Sequence, residues 1–167
     1  MATNPALPDR ATPRPWQAEL RDAVRDVAEL ARLLELPAGV VAARVATTSS
    51  FPLLVPRGFL ARMHKRDPDD PLLLQVLPLA AEHTVPAGYS ADPLGEHAIA
   101  RAGLLQKYAG RALLIASGAC PVHCRYCFRR SFPYQAQLAA RADWSSAVQE
   151  LRSAADVDEV ILSGGDP

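Results

Sequence analysis

The residues best suited to chemistry are Cys120, Cys124 and Cys127, which are all the cysteines in a chain of 167 residues. They fall within eight consecutive positions, spaced C-x3-C-x2-C, inside the stretch 118–130, Gly-Ala-Cys-Pro-Val-His-Cys-Arg-Tyr-Cys-Phe-Arg-Arg. Thiolates this close can converge on one metal centre, and soft sulfur ligands select zinc, copper or an iron–sulfur cluster over hard cations. A disulfide framework calls for an even count and wider spacing. The number three is informative. A structural zinc site closes with four protein ligands, and a cubane held by four cysteines has no free iron. Three thiolates leave one position open, as catalytic centres do. The competing reading is a non-enzymatic metal-binding module, for instance a zinc knuckle completed by His123 or a distant residue. His123 is poorly placed to share one ion with its neighbour Cys124. His64, His83 and His97 are scattered and read as ordinary histidines.

These thiols need a scaffold, and the flanking sequence predicts one. The apolar run 112–116, Ala-Leu-Leu-Ile-Ala, suits a strand buried on both faces, and the cysteine loop follows its C-terminal end. Trp144, Ala147, Val148, Leu151 and Ala155 recur at helical spacing, with a start near Asp143. Residues 159–163, Glu-Val-Ile-Leu-Ser, form a second strand, followed by Gly164-Gly165-Asp166-Pro167. Strand, long loop, helix, strand is a βαβ crossover. It places ligand-grade residues at the C-terminal ends of two parallel strands, where α/β barrels do their chemistry. Two glycines after a strand are by themselves a weak signal, since most such pairs are turns.

The preceding residues divide into a flexible, proline-rich lead-in, 1–14, and a helical region, 15–106. From Pro15, apolar Trp16, Leu20, Val24, Val27, Leu30 and Leu34 alternate with a charged face. This pattern predicts an amphipathic helix of about five turns ending at Leu36-Pro37. A shorter helix is expected at 40–46, an extended arm at 51–56 between two prolines, and one or two helical turns at 57–63. A turn-rich loop follows at 67–71, then a short buried apolar segment at 72–77. A helix capped by Asp92 runs to about residue 102.

A hydrophobic content of 49% supports one sizeable core. With 18 basic and 18 acidic residues, no global field favours nucleic acid or an anionic membrane. No apolar run approaches the ~18–20 residues of a membrane span, and the N-terminus lacks a signal-peptide core, so a cytoplasmic location is expected. Reduced cysteines agree with it.

C-x3-C-x2-C, with aromatic Tyr126 before the last cysteine, resembles the signature of the radical S-adenosylmethionine (SAM) enzymes. Ser163-Gly-Gly-Asp-Pro167 is similar to their glycine-rich motif at the second strand, with aspartate for the usual glutamate. The flanks Lys107-Tyr-Ala-Gly-Arg111 and Cys124-Arg-Tyr-Cys-Phe-Arg-Arg-Ser-Phe-Pro-Tyr134 resemble lysine 2,3-aminomutases, and particularly the EpmB type that serves elongation factor P. Phe51-Pro-Leu-Leu-Val-Pro56, Asp70-Pro-Leu72 and Gln75-Val-Leu-Pro78 do so too, and the resemblance covers residues 15–167.

The resemblance implies a [4Fe–4S] cluster on Cys120, Cys124 and Cys127, with SAM on the unique iron. Tyr126, Gly164, Gly165 and Asp166 would contact that cofactor. Lys107 and Arg111 would meet the phosphate of pyridoxal 5′-phosphate (PLP), and Arg129 the substrate carboxylate. It implies a radical isomerisation of lysine to β-lysine, a reductant protein for the cluster, and a homo-oligomer when full length. The fold class implied is α/β: a helical region, then from residue 107 the first two strands of a partial, TIM-like (β/α) barrel. On this basis the chain is truncated, the PLP lysine lies beyond it, and it is inactive alone with an exposed sheet edge. Another radical SAM reaction remains the alternative, because the two shared motifs specify radical generation and not the substrate.

Overall fold

The computed structural model describes residues 15–165 apart from 47, 48, 50, 85, 91, 97–102 and 135–143. The lead-in 1–14, His97 and Asp166 therefore lie outside the described residues. So do most of the helix expected after Asp92, although the Asp92 side chain accepts the Glu96 N–H at 3.0 Å as a cap would.

The long helix expected from Pro15 is two short ones, α1 (Trp16–Arg21) and α2 (Val27–Leu33). Two causes break it. Val24, fully buried, exchanges both backbone hydrogen bonds with Val55 of the extended arm, at 2.8 and 2.9 Å. Asp26 then caps α2 by accepting the Glu29 N–H at 2.8 Å, while Arg25 donates to the Leu20 and Ala23 carbonyls at the end of α1. The apolar stripe still serves one core, in which Val24, Leu30 and Leu34 meet Leu53, Val55, Leu73 and Val76.

Next come α3 (Ala38–Arg44), α4 (Arg57–Leu60) and α5 (Pro71–Leu74), each begun beside a proline. A single 3-10 turn, Ala80–His83, completes this region. Asp70 caps α5 through the Leu72 and Leu73 N–H groups, and its second oxygen takes the His64 N–H and ring. Burial alone would raise its carboxyl, yet these donors hold it below the ordinary range.

The sheet has the order β1 (Leu104–Tyr108), β2 (Gly110–Ser117), β3 (Val157–Gly164). The expected parallel pair is present: β2 runs parallel to β3, with α6 (Ser145–Ser153) between them in sequence. β1 is an additional, antiparallel strand joined to β2 by a tight connection at 109–110. On one face Leu104 and Leu114 pack on Ala147 of α6; on the other Leu105 and Ile115 pack on Phe132. The middle of β3 is exposed on both faces. Its Val160, Ile161 and Leu162 are 43%, 41% and 62% exposed. The result is a mixture of helices and a three-stranded sheet, consistent with part of an α/β fold.

Candidate functional site

The cysteine loop leaves β2 at Ser117 and is fastened to the helical region. The His123 N–H donates to Leu54 O at 3.1 Å and the Arg125 N–H to Gln75 O at 2.7 Å. A carbonyl can only accept, so the His123 ring, 2.9 Å from Pro52 O, carries its hydrogen on Nδ1, and it stacks on Phe51 at 5.0 Å. Val122 packs against the N-terminal core.

The strongest tie is ionic. Buried Arg125 places Nε and Nη2 on the two oxygens of Glu82, at 2.9 and 2.6 Å, and donates also to Phe51 O and Ser49 Oγ. Arg130 adds a third contact to Glu82 at 2.9 Å, and Leu79 N–H a fourth at 3.0 Å. Burial alone would raise the Glu82 carboxyl, but the Arg125 fork, the Leu79 N–H and Arg130 take it down to about 2.

The loop encloses a cavity of about 410 Å³ lined by Cys120, Cys124 and Cys127 together with Ser163, Gly164 and Gly165. The two stretches that carry chemistry, some 40 residues apart in sequence, therefore meet in one cleft. They meet closely. A Cβ on Gly164 would stand 1.9 Å from Ser117 O, and one on Gly165 2.1 Å from Ala119 O; Gly164 also has φ 142°. Only glycine permits this approach, in which Gly165 N–H bonds Ser117 O at 2.8 Å. Tyr134, half-buried in the same wall, donates its hydroxyl to Gly164 O at 2.9 Å, and burial raises its phenol above the ordinary value.

Arg129 also lines the cavity, but it is paired. Glu96 accepts from Nε at 2.7 Å and from Nη2 at 2.9 Å, and Ser163 Oγ accepts from Nη1 at 3.1 Å. The Glu96 hydrogen bonds strengthen the hold of Arg129 on its proton. Tyr126 is exposed, with its hydroxyl 3.3 Å from Gln75 Oε1. The hydrogen bond with Cys124 raises its phenol.

Lys107 and Arg111 stand elsewhere. They flank the start of β2, whereas the cysteines follow its end; the six residue steps from Arg111 to Ser117 span about 20 Å of strand. Lys107 donates to Leu94 O at 2.5 Å, and Arg111 pairs with Glu159 at 2.6 Å.

Among the described residues the ligand atoms of His64, Asp67 and Asp70 lie within 4.8 Å of one another. At the His64 group, both Asp70 oxygens are already occupied by protein donors.

No protein-family model matches the chain. Over 154 residues it is 46% identical to a protein named L-lysine 2,3-aminomutase from Escherichia coli (strain K12), a match covering 91% of this chain and 45% of that relative. The chain is homologous to the lysine 2,3-aminomutases. A Haemophilus influenzae relative of the same name is 39% identical over 91% of the chain, and one from Clostridium subterminale 29% over 90%. The chain spans 45% of the first two relatives and 37% of the third, consistent with the N-terminal portion of a lysine 2,3-aminomutase.

Sequence reasoning missed three residues at the site of this aminomutase homologue. Glu82 and Phe51 hold the cysteine loop, and Glu96 holds Arg129. Each acts through a partner more than 30 positions away, so nothing local announces it. Two arginyl cations over the Phe51 ring, Arg125 at 5.2 Å and Arg130 at 5.6 Å, complete the fastening.

Proposed function

We propose that this chain carries the cluster-binding and SAM-binding part of an enzyme that isomerises L-lysine to β-lysine. The supporting observation is the cavity shared by the three cysteines and the glycine pair. Cys120, Cys124 and Cys127 would hold a [4Fe–4S] cluster with one iron left for SAM. Gly164, Gly165 and Asp166 would receive the methionyl ammonium of SAM, with Tyr126 near the cluster. When bound, these cofactors supply radical chemistry, and PLP the means of moving an amino nitrogen.

The chain's own residues do the placing. Arg125 and Glu82 hold the cysteine loop against the helical region. Tyr134 and the Arg129–Ser163 contact tie that loop to the end of β3. Arg129 offers N–H groups to a substrate carboxylate. The rings of Phe51, Phe128 and Tyr134 line the cleft. The assignment of PLP phosphate to Lys107 and Arg111 rests on the family resemblance.

Within the same proposal the product serves elongation factor P, a reductant protein supplies the electron, the enzyme is cytoplasmic, and the full-length form is a homo-oligomer. No helix among the described residues is long and apolar enough to cross a membrane. The chain alone does not turn over lysine; the exposed middle of β3 and the match to under half of each relative support this.

The test is anaerobic reconstitution with iron and sulfide, followed by electron paramagnetic resonance of the reduced protein with and without SAM. A [4Fe–4S] signal that changes on adding SAM is expected. Tight stoichiometric zinc with no cluster would replace the proposal with a metal-binding module.

A further inference from the structure

The Arg129 guanidinium has five N–H donors in one plane. Glu96 takes two of them side-on and Ser163 a third, which leaves one N–H on each terminal nitrogen for a ligand in the cavity that Arg129 lines. Arg129 also lies against the Phe128 ring, its guanidinium carbon 4.9 Å from the centroid. The side chain is thus held by three neighbours and cannot turn to suit a ligand.

The charges matter as much as the geometry. The side chains of Arg129 and Glu96 are 9% and 10% exposed and form a neutral pair. A ligand carrying only a carboxylate would give this buried pair a net negative charge beside Cys127, which is costly in a poorly hydrated site. A ligand whose carboxylate sits next to its own ammonium leaves the total at zero.

We infer that Glu96 is a positioning and selectivity residue, which turns Arg129 into a receptor for the zwitterionic head of an α-amino acid rather than for carboxylates in general. This rests on the proposal that Arg129 receives the substrate carboxylate. Were Glu96 absent, Arg129 would be an unneutralised cation that prefers the more anionic ligand.

The probes are L-lysine and 6-aminohexanoate, which differ by the α-amino group, with L-methionine as a third arm to recognise the methionyl end of SAM. Their dissociation constants are measured by ligand-observed nuclear magnetic resonance titration on the anaerobically reconstituted 167-residue chain. The expected preference of the parent for lysine over 6-aminohexanoate is roughly tenfold, equivalent to about 1.4 kcal/mol. Glu96→Gln should bring the ratio near one by tightening 6-aminohexanoate, Glu96→Asp should keep most of the preference, and Arg129→Gln should weaken both ligands. Tighter binding of methionine than of lysine would assign the head-group site to SAM.

The outcomes separate the two ideas. An unchanged ratio in Glu96→Gln, with lysine lost in Arg129→Gln, overturns the role of Glu96 and leaves that of Arg129. Unaltered lysine binding in Arg129→Gln overturns the carboxylate assignment itself. Equal binding of both probes by the parent chain overturns the selectivity whether or not the variants fold, and no binding of any probe overturns both ideas.

Discussion

Replacing Glu82 by glutamine tests whether the helical region exists to hold the cysteine loop. The carboxylate accepts four hydrogen bonds, three of them from Arg125 and Arg130, and Arg125 is only 6% exposed. Glutamine keeps one acceptor but turns an N–H₂ group towards two guanidinium groups, leaving a buried cation unpaired. Breaking a buried pair in this way costs about 3–5 kcal/mol. An independent route gives a similar size: lowering the carboxyl from 4.5 to about 2 corresponds to about 3 kcal/mol. Arg125 retains Phe51 O and Ser49 Oγ, so the lower figure applies. In a chain of this length it lowers the thermal midpoint by roughly 10 °C.

The sign of the pH dependence follows from the lowered carboxyl. The Glu82 stabilisation is complete above pH 4.5 and is lost as pH falls from 4.5 to about 2, where the folded carboxyl protonates. The gap between parent and Glu82→Gln should therefore close across that window. Chemical denaturation at several pH values measures it, and alkylation rates of Cys124 and Cys127 report release of the loop. Glu82→Gln that unfolds within 1 kcal/mol of the parent at pH 7, with unchanged thiol labelling, would refute the clamp.

Two further substitutions probe β3. Gly164→Ala puts a methyl group 1.9 Å from Ser117 O at a φ that alanine resists, so a loss of about 3 kcal/mol in denaturant unfolding is expected. A SAM-dependent change in the cluster signal should vanish with it. Leu162→Lys, although central in an apolar strand, should shift stability by no more than about 0.5 kcal/mol, because that side chain is already 62% exposed. It should also reduce the binding of a hydrophobic dye.

What could be read from the amino acids follows from how local each signal is. Cysteine spacing, a glycine pair after an apolar run and a helix between two strands are each written in a few adjacent residues, so the βαβ unit and the meeting of 120–127 with 163–165 were legible. The break at Val24 was only half legible. Asp26 with Glu29 is a local start signal, but the apolar period continues through it, and the contact that forces the break comes from Val55. β1 was hidden because Leu104-Leu-Gln-Lys-Tyr108 is apolar for only two residues and is a strand by virtue of pairing with β2.

The three arginines of the cysteine loop show the limit most sharply. In sequence, Arg125, Arg129 and Arg130 are equivalent cations, and only distant carboxylates distinguish them. Glu82, 43 positions before Arg125, consumes that side chain in scaffolding together with Phe51 O and Ser49 Oγ. Glu96, 33 positions before Arg129, leaves two of its N–H groups at the cavity. A charge is common property of the sequence; its role is set by which opposite charge the fold brings to it. The helical region is therefore part of the site, since it supplies both carboxylates.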